Sequence, residues 1–166
     1  MIVLKNGRLQ SGEFSWGIRP GWSKRPLINA KSETIHQRPT FRESFRERRC
    51  LIPADGFYEW RKPDKAQFWF RRPNQEMFCF GGLWEDSIAL NRKATCAIIT
   101  VAASSVVQPV HDRMPLILAP SQYDDWLSHS DKAEAILRTG SQVELTAEII
   151  APPSRPSPRQ PDLPIF

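Results

Sequence analysis

At 166 residues and 19.1 kDa the chain has the length of one domain, enough to bury a core without disulfide staples. A net charge of +5 and a pI near 9.4 lean toward a polyanionic partner. No apolar run approaches the ~20 residues of a membrane span, no secretory pattern opens the chain, and three cysteines without a Cys-x-x-Cys pair exclude a zinc ribbon or a disulfide scaffold, so a cytoplasmic protein away from membranes is expected.

In chain order, the first signal is Asn6-Gly7, a dipeptide suited to the positive φ angles of a two-residue turn, between Ile2-Val3-Leu4 and Leu9; a hairpin is predicted. Trp16-Gly17-Ile18-Arg19-Pro20-Gly21-Trp22 follows, a rigid aromatic loop beside Lys24 and Arg25. Such a loop stacks bases while its cations neutralise phosphate. Trp22 is the residue expected to face bases; Trp16, at a strand end, is expected in the core.

In Leu27-Ile28-Asn29-Ala30-Lys31-Ser32-Glu33-Thr34, an asparagine closes an apolar strand. An amide donates and accepts without titrating, so Asn29 suits holding a reacting group in one pose; its plainer reading is a turn residue. Lys31 and Arg38, with Arg42, Arg46 and Arg49 at helical spacing, are positioned to track a phosphate backbone. Residues 1–72 hold 16 Lys and Arg against 7 Asp and Glu, net +9, and the rest of the chain is net −4, so the basic footprint lies in the first half.

Thr40-Phe41-Arg42-Glu43 reads as a capping box opening a helix over 40–49, with Phe41 and Phe45 inward. Strands are predicted at 50–53, 57–61, 67–71, 76–84, 95–102 and 114–118, helices at 120–126 and 130–140, and a last strand at 143–150. The fold class is α+β: a curved antiparallel sheet closing toward a barrel, flanked by a few short helices. Residues 1–150 are read as the domain. Residues 151–166, with six prolines, are read as an extended tail.

Two further segments carry chemistry. In Ala54-Asp55-Gly56-Phe57-Tyr58-Glu59-Trp60, Asp55 forms a turn, and Glu59 sits between aromatics, where a drier setting raises proton affinity and makes a general acid or base. Its alternative is a salt bridge to an arginine. In Val110-His111-Asp112-Arg113-Met114-Pro115, His111 lies between strand and loop beside a carboxylate and a guanidinium, a setting for proton transfer, with Asp112 able to pair with Arg113 instead. His36 and His129 lie among polar residues and are expected at the surface. Cys50, Cys79 and Cys96 sit in apolar runs as packing residues. No metal or cofactor is expected.

Together, Trp-Gly-Ile-Arg-Pro-Gly-Trp, Ile-Asn-Ala-Lys-Ser-Glu-Thr, Arg-Cys-Leu-Ile-Pro-Ala-Asp-Gly-Phe-Tyr-Glu-Trp, Gly-Gly-Leu-Trp-Glu and His-Asp-Arg-Met-Pro resemble the SRAP family, the SOS response-associated peptidases or abasic-site processing proteins, over roughly residues 10–130. The resemblance implies a barrel-like α+β fold and a protein that binds single-stranded DNA containing abasic sites and reacts with the ring-opened aldehyde; a monomer is expected. It implies that Asn29 positions an amine, that Glu59 is the acid/base group, and that His111 assists ring opening. It assigns Lys31 and Arg38 to phosphate, Lys31 standing where arginine is commoner.

The family's nucleophile is an N-terminal cysteine whose amine and thiol close a thiazolidine on the aldehyde. This sequence opens Met1-Ile2, and none of Cys50, Cys79 and Cys96 carries a free amine on its own residue. The expectation is therefore a family member whose sequence here lacks the segment with that cysteine, whether translation starts upstream, a deletion has left a remnant, or the chain has kept binding and lost covalent capture. Two functions follow: an abasic-site processing enzyme, or a non-catalytic single-stranded DNA-binding remnant. Autoproteolysis, the third activity the family name suggests, needs the same cysteine.

Overall fold

The computed structural model describes residues 1–62, 64–86 and 93–150 of the chain. The tail predicted at 151–166 lies outside the described residues. Asn6 and Gly7 adopt φ of 52° and 70° and join β1 (Ile2–Lys5) to β2 (Arg8–Ser11), the predicted hairpin. β1 pairs in turn with β5 (Arg49–Ala54).

From β5 the larger sheet continues through β8 (Phe78–Glu85), β9 (Thr95–Ala102) and β10 (Arg113–Pro115). The path among the described strands runs from β10 to β2, and those two edges do not pair with each other. A smaller sheet orders β12 (Thr146–Ile150), β7 (Gln67–Arg71) and β6 (Phe57–Trp60). The chain is thus mixed α and β, with one large, mainly antiparallel sheet and few helices.

One edge departs from the antiparallel expectation. β3 (Ser15–Trp16) and β4 (Asn29–Lys31) both run parallel to β9, Trp16 opposite Cys96 and Asn29 opposite Ile98. The two pieces form one line along β9, broken by the loop 17–28. That loop is closed at its base by the Ile18–Leu27 bridge and by the Trp16 Nε1–H donating to Ile28 O at 2.9 Å. Gly17 has φ of +112°, and a Cβ there would lie 2.6 Å from Pro26 Cβ, so the loop leaves the sheet only through glycine.

The predicted strand at 114–118 splits. β10 pairs with β9, and β11 (Ile117–Leu118) crosses to β8, while between them Leu116 donates to Ile99 O and accepts from Gly81 N–H. The first helix, α1 (Pro39–Glu47), begins one residue before the predicted start, and no side chain caps it. The capping box at Thr40 and Glu43 does not form because Arg38, extended before proline, takes the cap position and Pro39 fills the first turn. Phe41 and Phe45 are buried as expected.

The predicted helix at 120–126 is a 3₁₀ turn, Pro120–Gln122, followed by α2 (Tyr123–Ser128). α3 (Ser130–Thr139) ends at Gly140, φ +68°. Cys50, Cys79 and Cys96 are buried and free. No described helix is long and apolar enough to cross a membrane.

Arg49 corrects a sequence reading. It does not track phosphate but is buried, donating to Phe45 O, Arg46 O and Trp126 O at 2.6–2.8 Å and so satisfying the carbonyl ends of α1 and α2. Arg42 and Arg46 remain exposed on α1.

Candidate functional site

A cleft of about 600 Å³ opens between the two sheets, lined by Asn29 and Lys31 from β4, Phe57 to Trp60 from β6, Ile98 and Thr100 from β9, and His111, Arg113 and Met114 at the start of β10. β4 sets one wall. Its alternation buries Ala30 and turns Asn29 and Lys31 to the same exposed face. β6 sets the other, holding Glu59 half-buried between Tyr58 and Trp60.

Burial pushes the proton affinity of Glu59 up; the nearby His111 opposes this, and Asp112 adds to it. Glu59 makes no ion pair with an arginine among the described residues, so its salt-bridge reading falls. The carboxyl keeps a proton at higher pH than an exposed glutamate.

His111 Nδ1 lies 3.1 Å from both the amide nitrogen and the carbonyl oxygen of Arg113, and 3.3 Å from Asp112 Oδ1. A neutral ring with its proton on Nε2 accepts the Arg113 N–H; a protonated ring donates Nδ1–H to the carbonyl or carboxylate. The ring has a partner in either state, as a proton-transfer group requires. No described group engages Nε2.

Asp112 does not pair with Arg113, as one reading of the triplet had it. Arg113 turns instead to Glu33, its Nη1 and Nη2 donating to the two carboxylate oxygens at 2.7 and 2.9 Å, while Nε donates to Thr100 Oγ1 at 3.1 Å and Nη2 to Thr100 O at 2.6 Å. The guanidinium holds the Glu33 carboxyl down to about 2.

Asn29, Lys31, Glu59 and His111 therefore meet in one cleft. Trp22 and Arg38 do not line it. Trp22 is 69% exposed in the loop 17–28, and Arg38 is exposed at the mouth of α1. Trp16 overturns its reading as a core residue: it is 58% exposed and lines the cleft, because the edge line β3–β4 has no strand beyond it to cover the ring. Sequence reasoning missed Glu33, Thr100 and Arg113 as a set. Their one signal was that Glu33 and Arg113 each sit two residues past a singled-out polar residue, Lys31 and His111.

Among the described residues, Asp124, Asp125 and His129 form the one group with donor atoms close enough for a metal, and Asp125 there already accepts from Lys132 Nζ at 2.6 Å. The cleft has no such set.

The family described as SOS response associated peptidase (SRAP) matches residues 1–151. The chain is 37% identical to the abasic site processing protein YoqW of Bacillus subtilis over 133 residues, covering 74% of this chain and 58% of that protein. It is 35% identical to the abasic site processing protein YoaM of the same organism over 144 residues, 81% of this chain and 63% of that one. A solved phage-related protein from Bordetella bronchiseptica superposes with a TM-score of 0.76 at 27% identity, covering 91% of this chain and 76% of that one. The chain spans about three-fifths of the length of the curated relatives it matches.

Proposed function

The chain belongs to the SRAP family, SOS response associated peptidases, and from that premise we propose that it handles abasic sites in single-stranded DNA, as a monomer whose working unit is residues 1–150. The observation that carries this reading is the meeting of Asn29, Lys31, Glu59 and His111 from three separate segments in one cleft. An abasic sugar is mostly a closed hemiacetal. Opening it takes a proton from the anomeric hydroxyl and gives one to the ring oxygen as the carbon–oxygen bond breaks. Glu59, with raised proton affinity, and His111, partnered in both protonation states, are suited to those two transfers.

In this reading Asn29 orients the sugar, Lys31 and Arg38 neutralise phosphates, and Trp22 stacks a flanking base. The family's thiazolidine chemistry has no candidate in Cys50, Cys79 or Cys96, which are internal and buried and whose thiols burial pushes up. To Glu59 and His111 the cleft owes ring opening and proton transfer, in the setting of DNA damage.

A small trap tests it. Methoxyamine captures the open-chain aldehyde of an abasic oligonucleotide, and the protein should raise the capture rate, with Glu59→Gln and His111→Ala each lowering the gain by about 10²-fold. Tight binding without any gain would favour the second reading, a non-catalytic single-stranded DNA binder, which the exposed Trp22 and the basic first half suit.

A further inference from the structure

We infer that Glu33 is a positioning residue: by clamping Arg113 across strand β9 it holds the His111 ring in register with Asn29 and Lys31. The inference rests on the reading of the cleft above, and it adds a group that touches no substrate. β9 lies between β4 and β10, with Thr100 opposite Lys31 on one side and Pro115 on the other. The Arg113 side chain spans that central strand, donating two bonds to Thr100 and ending on Glu33 in the 3₁₀ turn Ser32–Thr34, which continues directly from β4.

An exposed ion pair contributes little to stability. This one differs in geometry. The Arg113 side chain is 17% exposed, both arms of its fork are engaged, and its bidentate contact fixes direction as well as distance. Its main chain supplies the N–H and C=O that meet His111 Nδ1. A contact 80 residues apart in sequence thus holds in place the main chain that meets Nδ1, and with it the orientation of the ring and the direction in which Nε2 points.

The charged groups around His111 are Glu59 from the facing sheet, its neighbours Asp112 and Arg113, and Lys31 across the cleft. Glu33 reaches the ring only through Arg113.

Two variants of the full chain test the assignment, Glu33→Ala and the milder Glu33→Gln, each verified as folded by circular dichroism. Nitrogen-15 spectra of the His111 ring, recorded across pH, should show one dominant tautomer in the parent protein. Both variants should shift it toward a mixture, and the reciprocal exchange Glu33→Arg with Arg113→Glu should restore it.

In the methoxyamine assay the variants should lose about 10–100-fold in the rate gain while DNA binding is not weakened, since a negative charge has been removed. An unchanged His111 spectrum in both folded variants would overturn the inference. If the parent protein itself gives no rate gain, the reading of the cleft fails, while the ring spectrum still decides the role of Glu33.

Discussion

Arg49 and Trp126 bond reciprocally: the Arg49 guanidinium donates to the Trp126 carbonyl at 2.6 Å, and the Trp126 indole donates to the carbonyl of Cys50, the residue after Arg49, at 3.0 Å. Both side chains are buried. Arg49→Met keeps the volume but strands carbonyls at the ends of two helices, and should cost about 3 kcal/mol in chemical denaturation, because each unpaired buried polar group carries its own desolvation cost. Trp126→Phe should cost less, and the double variant should cost less than the sum. Additive losses would show that the two bonds are independent.

Glu33 and Glu59 should titrate on opposite sides of the ordinary glutamate value of 4.5. The Glu33 carboxyl, held at about 2 by Arg113, binds its proton less readily folded than unfolded. The stability it contributes is therefore present above about pH 4.5 and is lost as pH falls toward 2. Glu33→Gln should lower stability at pH 7 by about 1 kcal/mol or less, given the exposure of the pair, and the deficit should vanish near pH 2. A deficit that persists at pH 2 would refute the electrostatic origin.

Glu59 has the reverse sign. Its folded proton affinity is raised, so the folded state loses stability as pH rises from 4.5 through the folded value. Glu59→Gln should accordingly raise the thermal midpoint at pH 7 while lowering the methoxyamine rate gain, as expected where a group is kept for function at a cost to the fold. A lowered midpoint at pH 7 would contradict this.

Binding to single-stranded DNA should weaken steeply with salt and depend little on sequence. Trp22→Ala should weaken it. Because Trp16 is exposed at the cleft, Trp16→Ala should now do so as well, and more strongly for an abasic than for an intact oligonucleotide. Fluorescence anisotropy on the two oligonucleotides separates the effects; equal affinity at low and high salt would defeat the premise.

Gly17→Ala probes the same loop from its base. With φ of +112° and Pro26 Cβ 2.6 Å from the added methyl, the loop must shift. The variant should lose DNA affinity comparable to Trp22→Ala, and its thermal midpoint should fall as well, because the Gly17 N–H donates to Cys96 O of β9 and the next residue, Ile18, is fully buried. Unaltered affinity would mean that the loop does not present Trp22.

Local signals in the sequence read well. The positive φ at Asn6 and Gly7, the inward Phe41 and Phe45 and the helix stop at Gly140 follow from residue chemistry within a few positions. Apart from the capping box at Thr40 and Glu43, which Pro39 displaced, what failed was non-local. Trp16 is exposed because its edge line pairs with β9 some 80 residues later and has no outer neighbour. Arg49 is buried because α2 returns to pack on β5, bringing Trp126 beside Phe45 at the end of α1, and Glu33 finds Arg113 only across an intervening strand. No spacing rule along the chain encodes those meetings. The meeting of Asn29, Lys31, Glu59 and His111 in one cleft was equally beyond spacing; the motifs named the residues, and only the fold joined them.

The two cleft walls belong to different sheets, and the joint between them near Glu59 is made of phenylalanine. Phe57 meets Phe80 of the larger sheet edge-on at 6.2 Å and stacks on Phe70 at 5.1 Å. These rings act as shims. Trimming one, as in Phe57→Leu, leaves a hydrophobic residue in place but lets one wall settle toward the other, and reactive groups tolerate little displacement. Loss-of-function lesions in this protein should therefore include apolar positions that never touch DNA. A screen scored on activity would recover them, whereas one scored on expression alone would pass them by.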